Sequence, residues 1–190
     1  MNRIAFAVML WICVGMEKGL CDAFALGTTG VKPSPVFILV TLVAMFATPL
    51  AATWSAFIAG LVLDLIFEYQ LKDGGPSITI IGPRALGFVA AVQLILTLRG
   101  LVFRRNPVTM GFLAFTGGSV AMAVAASIIA IRVLFGSPVI SFNMGSELVR
   151  ALASAGYTGG VAFVLAFALL PLAGRMGLPV QHASRFGRRV

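Results

Sequence analysis

One acid inside an apolar run constrains this chain more than any other feature. The stretch from Pro49 to Phe67 reads as a membrane-spanning helix, and Asp64 lies within it. A carboxylate at bilayer depth costs at least about 3 kcal/mol on insertion scales, so it must face protein or water and hold a partner. The residue therefore demands a packed helical bundle around it.

Composition supports the same reading. Mean hydropathy is +1.03, and 11% of residues are charged, against about 25% in soluble domains. With several long apolar runs, this indicates an all-α integral membrane protein, and the length suits one domain. The net charge of +8 is uneven. Arg99, Arg104 and Arg105 form one cluster, and Arg175, Arg185, Arg188 and Arg189 form another. Basic clusters flanking apolar spans follow the positive-inside rule. With no basic surface interleaved with aromatics, they argue against nucleic acid. The basic loop and tail are expected to meet anionic lipids. Cys13 and Cys21 have neither CxxC nor zinc spacing, and the one histidine, His182, sits in the tail. No metal site and no cofactor are expected. The apolar stretch from Ile4 to Met16 resembles a signal peptide with a site near Ala23-Phe24-Ala25, but Glu17, Lys18 and Asp22 intervene. It is therefore read as a retained first helix.

Turn and cap signals divide the chain into six helices at about residues 4–26, 34–47, 49–69, 82–98, 108–134 and 146–173, a transmembrane domain of residues 1–174. A basic cytoplasmic tail follows at 175–190. The second segment is short: twelve residues from Val36 to Ala47 cover about 18 Å, less than the roughly 30 Å hydrocarbon core. It reads as short or partly re-entrant. Lys18 and Asp22, four apart, would share a helix face. Thr48-Pro49 reads as an N-cap with proline at the first helical position. The two basic clusters are one helical pair apart and fall on one side, so with Arg3 both termini are expected in the cytoplasm. The turn near Thr48-Pro49 carries no positive charge of its own.

Small residues at four-residue spacing form ridges on which membrane helices approach closely. Ala52, Ala56, Gly60, Asp64 and Glu68 form one such row on the third helix. Gly156 and Gly160 form a GxxxG on the sixth. The charges near the outer ends predict ion pairs: Asp64 or Glu68 with Arg84, and Glu147 with Arg150 or Arg132. No Gly-x-Ser-x-Gly, His-Glu-x-x-His or phosphate-cradling loop occurs, so the chain is not expected to be an enzyme. Transporters that couple to ions usually show several intramembrane acids or paired broken helices. A non-catalytic membrane partner is the expectation.

The run Phe57-Ile58-Ala59-Gly60-Leu61-Val62-Leu63-Asp64-Leu65 resembles the central-helix motif of the bacterial rod shape-determining protein MreD family. A proline-containing loop and short apolar helix precede it (Pro35 to Ala47). A polar loop, a helix start carrying Gly82, Leu86 and Gly87, and an arginine-rich loop follow. The resemblance covers roughly residues 35 to 120. The charged break at Gln70 to Thr79 and the Glu17-Lys18 pair depart from it.

The resemblance implies a cell-shape subunit of the elongasome in the cell inner membrane. Such a subunit binds MreC and helps connect cytoplasmic MreB to RodA and its transpeptidase for lateral peptidoglycan synthesis. It also implies a fold similar to transporter S-components, which supplies the alternative: a binder of a small, vitamin-like solute. In that case Asp64, Arg84 and Glu147 would face one another around a pocket. Under the scaffold reading, a transmembrane helix of MreC docks on Ala52, Ala56 and Gly60, or else on Gly156 and Gly160, with Asp64 fixing the register. Gly60→Leu would then weaken recovery of MreC.

Overall fold

Four of the six helices open on a proline, at Pro35, Pro49, Pro83 and Pro107. Proline lacks an N–H, and the first helical position needs none, so these residues start helices without loss. The computed structural model describes residues 3–20, 23–27, 29–68, 78–101, 106–136 and 144–173. Among them it forms α1 (Arg3–Gly19), α2 (Pro35–Phe46), α3 (Pro49–Ile66), α4 (Pro83–Leu98), α5 (Pro107–Gly136) and α6 (Met144–Ala173), and no strand. Three of these are long and apolar enough to cross a membrane: Pro49–Ile66, Pro107–Phe135 and Gly145–Leu170.

The shortest helix holds the centre. Every residue of α2 from Val36 to Phe46 is buried, and α2 packs against each of the other five helices. Its sequence is apolar all round, with Thr41 the exception. That hydroxyl bonds back to the Phe37 carbonyl at 2.9 Å, so no polar group is left bare in the core. The wall is built by α3 on α4, α4 on α5 and α5 on α6. α5 and α6 cross closely at Gly111 and Gly159. A Cβ on Gly111 would lie 3.0 Å from the Gly159 carbonyl oxygen, and one on Gly159 3.0 Å from that of Gly111. Dispersion between backbones at such crossings stands in for the hydrophobic drive that lipid does not supply.

Contacts at the helix ends give the directions. The end of α1 meets the start of α2 through Glu17 and Ser34. The end of α3 meets the start of α4 through Asp64 and Gly82. The end of α4 meets the end of α2 through Arg99 and Ala44. Successive helices therefore run antiparallel. One end of the bundle gathers Glu17, Asp64, Glu68, Arg84, Glu147 and Arg150, and the opposite end carries Arg3 and Arg99.

Two helix ends differ from the sequence expectation. α1 stops at Gly19 rather than near residue 26. The chain then turns, with the Leu26 N–H donating to the Val31 carbonyl at 3.0 Å. Asp22, the expected partner of Lys18, lies outside the described residues. α3 stops at Ile66, where Phe67 turns extended at φ −94° and ψ 127°. Glu68 thus lies past the helix and leaves the row that begins at Ala52. Thr48 does precede α3 as its N-cap with Pro49 at the first position, but its side chain makes no cap bond. The tail from 175, His182, Cys21, Arg104 and Arg105 lie outside the described residues.

Candidate functional site

Asp64 is 1% exposed, and what holds its charge is the start of α4. Its Oδ2 accepts from the N–H of Gly82 at 2.8 Å and of Ala85 at 3.2 Å, and its Oδ1 accepts from the N–H of Arg84 at 3.1 Å. Pro83 between them has no N–H to satisfy. Gly82, the residue at the cap position, sits at φ +119° and has no side chain to cap with. The carboxylate of α3 therefore takes the orphan donors of α4 and meets the positive end of its dipole. Gly60, one turn earlier, makes the approach possible. A Cβ there would lie 2.5 Å from the Ala85 Cα and 2.8 Å from the Arg84 carbonyl oxygen, both backbone atoms that cannot give way.

The same device recurs one helix pair earlier. Glu17, 7% exposed at the end of α1, accepts from the Ser34 hydroxyl at 3.0 Å and the Val36 N–H at 3.2 Å. Ser34 in turn accepts from the Phe37 N–H at 3.2 Å, and its own N–H donates to the Thr158 hydroxyl of α6 at 3.1 Å. At the other end of α2, the Arg99 Nη1 donates to the carbonyls of Ala44 at 2.8 Å and Ala47 at 2.7 Å. The central helix is thus bracketed by an acid at its N-terminus and a guanidinium at its C-terminus, the favourable sense for its dipole.

Above the N-terminus of α2 lies a cavity of about 460 Å³. This is within the roughly 300–1,000 Å³ of small-molecule sites. Part of its lining is apolar, including Phe88 of α4 and Ala121, Met122, Ala125 and Ile129 of α5. Charged residues line it too: Glu17, Lys32, Glu68, Arg84, Glu147 and Arg150 all contribute. The Phe67 ring gathers three cations. The Arg84 guanidinium lies 4.1 Å from its centroid, the Lys18 ammonium 4.9 Å and the Lys32 ammonium 5.3 Å. Each is individually favourable against the ring face, yet their mutual repulsion opposes the gathering. Across the cavity Glu147 and Arg150 pair with each other on α6.

The structure brings some of the expected residues together and separates others. Arg84 and Glu147 line the cavity, but Asp64 lies beneath it, spent on α4. Asp64 meets Arg84 through the backbone N–H; the guanidinium of Arg84 reaches the Leu63 carbonyl at 3.5 Å. The physical reason is that a helix N-terminus satisfies a buried carboxylate with fixed N–H groups and no side-chain ordering. Arg132 is exposed near the end of α5, outside the cavity. Ala52, Ala56 and Gly60 are interior, closed by α4, so this ridge cannot receive a partner helix while the bundle is intact. Gly156 and Gly160 are exposed. A Cβ on Gly160 would meet nothing within 4 Å, and one on Gly156 only the Phe115 ring edge at 4.0 Å. The glycine that packs inside on α6 is their neighbour Gly159.

Sequence reasoning missed Glu17, Lys32 and Phe67 as site residues, and Arg99 as a cap. For Glu17 a signal exists: Ser34-Pro35 is a helix start like Gly82-Pro83, and an acid precedes each at nearly equal separation, 17 and 18 residues. No group of three or more His, Cys, Asp or Glu able to hold a metal occurs among the described residues. Compared with family models, curated proteins and solved structures, the chain finds no match.

Proposed function

We propose that this chain is a non-catalytic, six-span subunit of the bacterial inner membrane that works by binding other membrane proteins. Its resemblance to the MreD family makes MreC the partner and lateral wall synthesis, with RodA, its transpeptidase and MreB, the process served. The observation that carries the reading is the division between the two small-residue ridges. The motif glycine and aspartate are used inside, locking α3 to α4. The Gly156–Gly160 face of α6 stays open, flanked by exposed Leu152, Val164 and Phe167. A single transmembrane helix can approach such a face closely. α6 therefore replaces α3 as the docking ridge, and Gly60→Leu no longer serves as a test because it would break the bundle itself.

The discriminating experiment is affinity purification of the tagged native protein in mild detergent, followed by mass spectrometry. Recovery of MreC with the wild type and a several-fold loss with Gly160→Leu is the expected result. A Leu there meets open space, so the fold is undisturbed. Undiminished recovery with both Gly160→Leu and Gly156→Leu would remove α6 as the docking face; absence of MreC from the wild-type preparation would remove the scaffold reading.

The charge-lined cavity favours a second reading, a solute binder similar to transporter S-components. Recovery of ATPase subunits or of a tightly held small molecule would support it.

A further inference from the structure

We infer that the cavity above α2 takes a dipolar molecule of no net charge, with one anionic and one cationic group on an apolar body. The inference rests on the reading of the cavity as a solute site and is independent of any partner on α6.

The charges that line the cavity balance. Glu17, Glu68 and Glu147 stand against Lys32, Arg84 and Arg150. All six are engaged within the protein. Glu17 accepts from the Ser34 hydroxyl and the Val36 N–H and lies within electrostatic reach of Arg84 and Lys32. Arg84 lies against the Phe67 ring. Glu147 and Arg150 pair on α6, and Lys32 and Glu68 have partners too. The lining is thus neutral and offers both signs. A lone anion or cation would bring an unanswered charge into a partly enclosed space, and nothing would repay its desolvation. A wholly apolar molecule would strip water from charged groups and return no hydrogen bond. A dipolar molecule avoids both costs, because each of its charges finds the opposite sign and the sum stays zero. The Glu147–Arg150 pair is the one placed to open for it. Its side chains are 33% and 50% exposed, and exposed pairs are worth little to the fold. The Arg150 guanidinium already reaches the turn before α2, where a Cβ on Gly30 would lie 3.5 Å from its Nη1. Phe88, Ala125 and Ile129 offer the apolar body its surface. A zwitterionic lipid headgroup with its first methylenes and a free apolar amino acid share this chemistry.

Equilibrium dialysis of the purified protein in maltoside detergent tests this with probes that share one branched body. Leucine carries both charges, isocaproate lacks the ammonium, isoamylamine lacks the carboxylate, and isoamyl alcohol has neither. Leucine is expected to bind saturably, and the other three about tenfold or more weakly, the size of one lost charged hydrogen bond. Ala125→Leu, which fills the cavity and keeps every charge, should weaken leucine as much. Arg132→Gln, outside the cavity, should not. Removing one charge at a time tests the balance itself. Glu147→Gln leaves bases in excess, so isocaproate should gain on leucine; Arg150→Gln leaves acids in excess, so isoamylamine should gain. Native mass spectrometry after extraction from bilayers of phosphatidylethanolamine and phosphatidylglycerol separates the sources. Retained phosphatidylethanolamine, lost in Ala125→Leu, identifies a lipid headgroup; leucine binding without retained lipid identifies a soluble solute. An ion or the alcohol binding the wild type as tightly as leucine, or a selectivity unmoved by either neutralisation, would overturn the dipolar assignment and keep the cavity as a site. No saturable binding of any probe, with no lipid retained, would overturn both.

Discussion

At the scale of the residue, Asp64 shows how an apolar bundle accommodates a charge. Placing it at depth costs about 3 kcal/mol on insertion scales. Each hydrogen bond to a charged group returns about 1.5–3 kcal/mol, so two of the three N–H groups of α4 already offset the cost. The converse is that α4 depends on the carboxylate. Asp64→Ala leaves the N–H groups of Gly82, Arg84 and Ala85 buried without acceptors, and should cost about 3 kcal/mol or more. Asp64→Asn keeps the shape and one oxygen but turns an amide donor toward a donor, and should cost about half as much. Thermal unfolding in detergent ranks the pair. Equal losses for Ala and Asn would mean that packing, not the cap, is what Asp64 supplies. That Asp64 needs a partner was legible in the sequence from its apolar setting. The partner's identity was not, because backbone N–H groups leave no mark in a residue string, whereas Arg84 is conspicuous in it.

At the scale of the element, the pairs α1–α2 and α3–α4 are built alike. An acid at the end of one helix caps the proline-led start of the next, across 17 residues in the first case and 18 in the second. This explains how a helix of twelve residues, about 18 Å long, can sit in the middle of a membrane bundle. Backbone ends inside the hydrocarbon region are tolerated where protein satisfies them, and Glu17 and Arg99 do so at the two ends of α2. Glu17→Leu removes the acceptor of the Val36 N–H and of the Ser34 hydroxyl. Hydrogen–deuterium exchange should then rise in a peptide spanning residues 34–40, while Glu17→Gln, which retains an oxygen, should stay near wild type. Unchanged protection in Glu17→Leu would show that packing alone holds this helix start. The existence of six helices, and all six of their starts to within two residues, was readable from proline, glycine and apolar runs. The ends of α1 and α3 were not, because both are set by where an acid must stop to reach the next helix, a tertiary demand that local pattern does not contain. The choice of docking ridge failed for a related reason. Four-residue spacing identifies small faces but not which of them the fold itself consumes, and Gly159, packed against Gly111, lies one position away from the open Gly160.

At the scale of the whole molecule, the alternating helices sort the charges by end. Glu17, Asp64, Glu68 and Glu147, with Lys18, Lys32, Arg84 and Arg150, lie at the cavity end. Arg3 and Arg99 lie at the other, and Arg104, Arg105 and the arginines from 175 onward follow the ends of α4 and α6 along the chain. The turn at Thr48-Pro49, which lacks a charge of its own, receives the guanidinium of Arg99 on the neighbouring Ala44 and Ala47 carbonyls. It therefore belongs with the basic end. By the positive-inside rule, counted on Lys and Arg near span ends and indifferent to acids, the acid-free end is expected to face the cytoplasm and the cavity to open outward. An outward cavity could be reached by external solutes and outer-leaflet lipid headgroups; an inward one would face the cytoplasmic leaflet. Single cysteines decide between them in intact cells expressing a variant without Cys13 and Cys21. A cysteine at exposed Thr29, beside the cavity, should react with a membrane-impermeant maleimide, and one at exposed Asn106, at the start of α5, only after the cells are opened. The reverse pattern would invert the molecule. Reaction at both sites, or at neither, would mean that an odd number of helices between them crosses the bilayer differently from the antiparallel order, and α2, too short to span unaided, would be the first to examine.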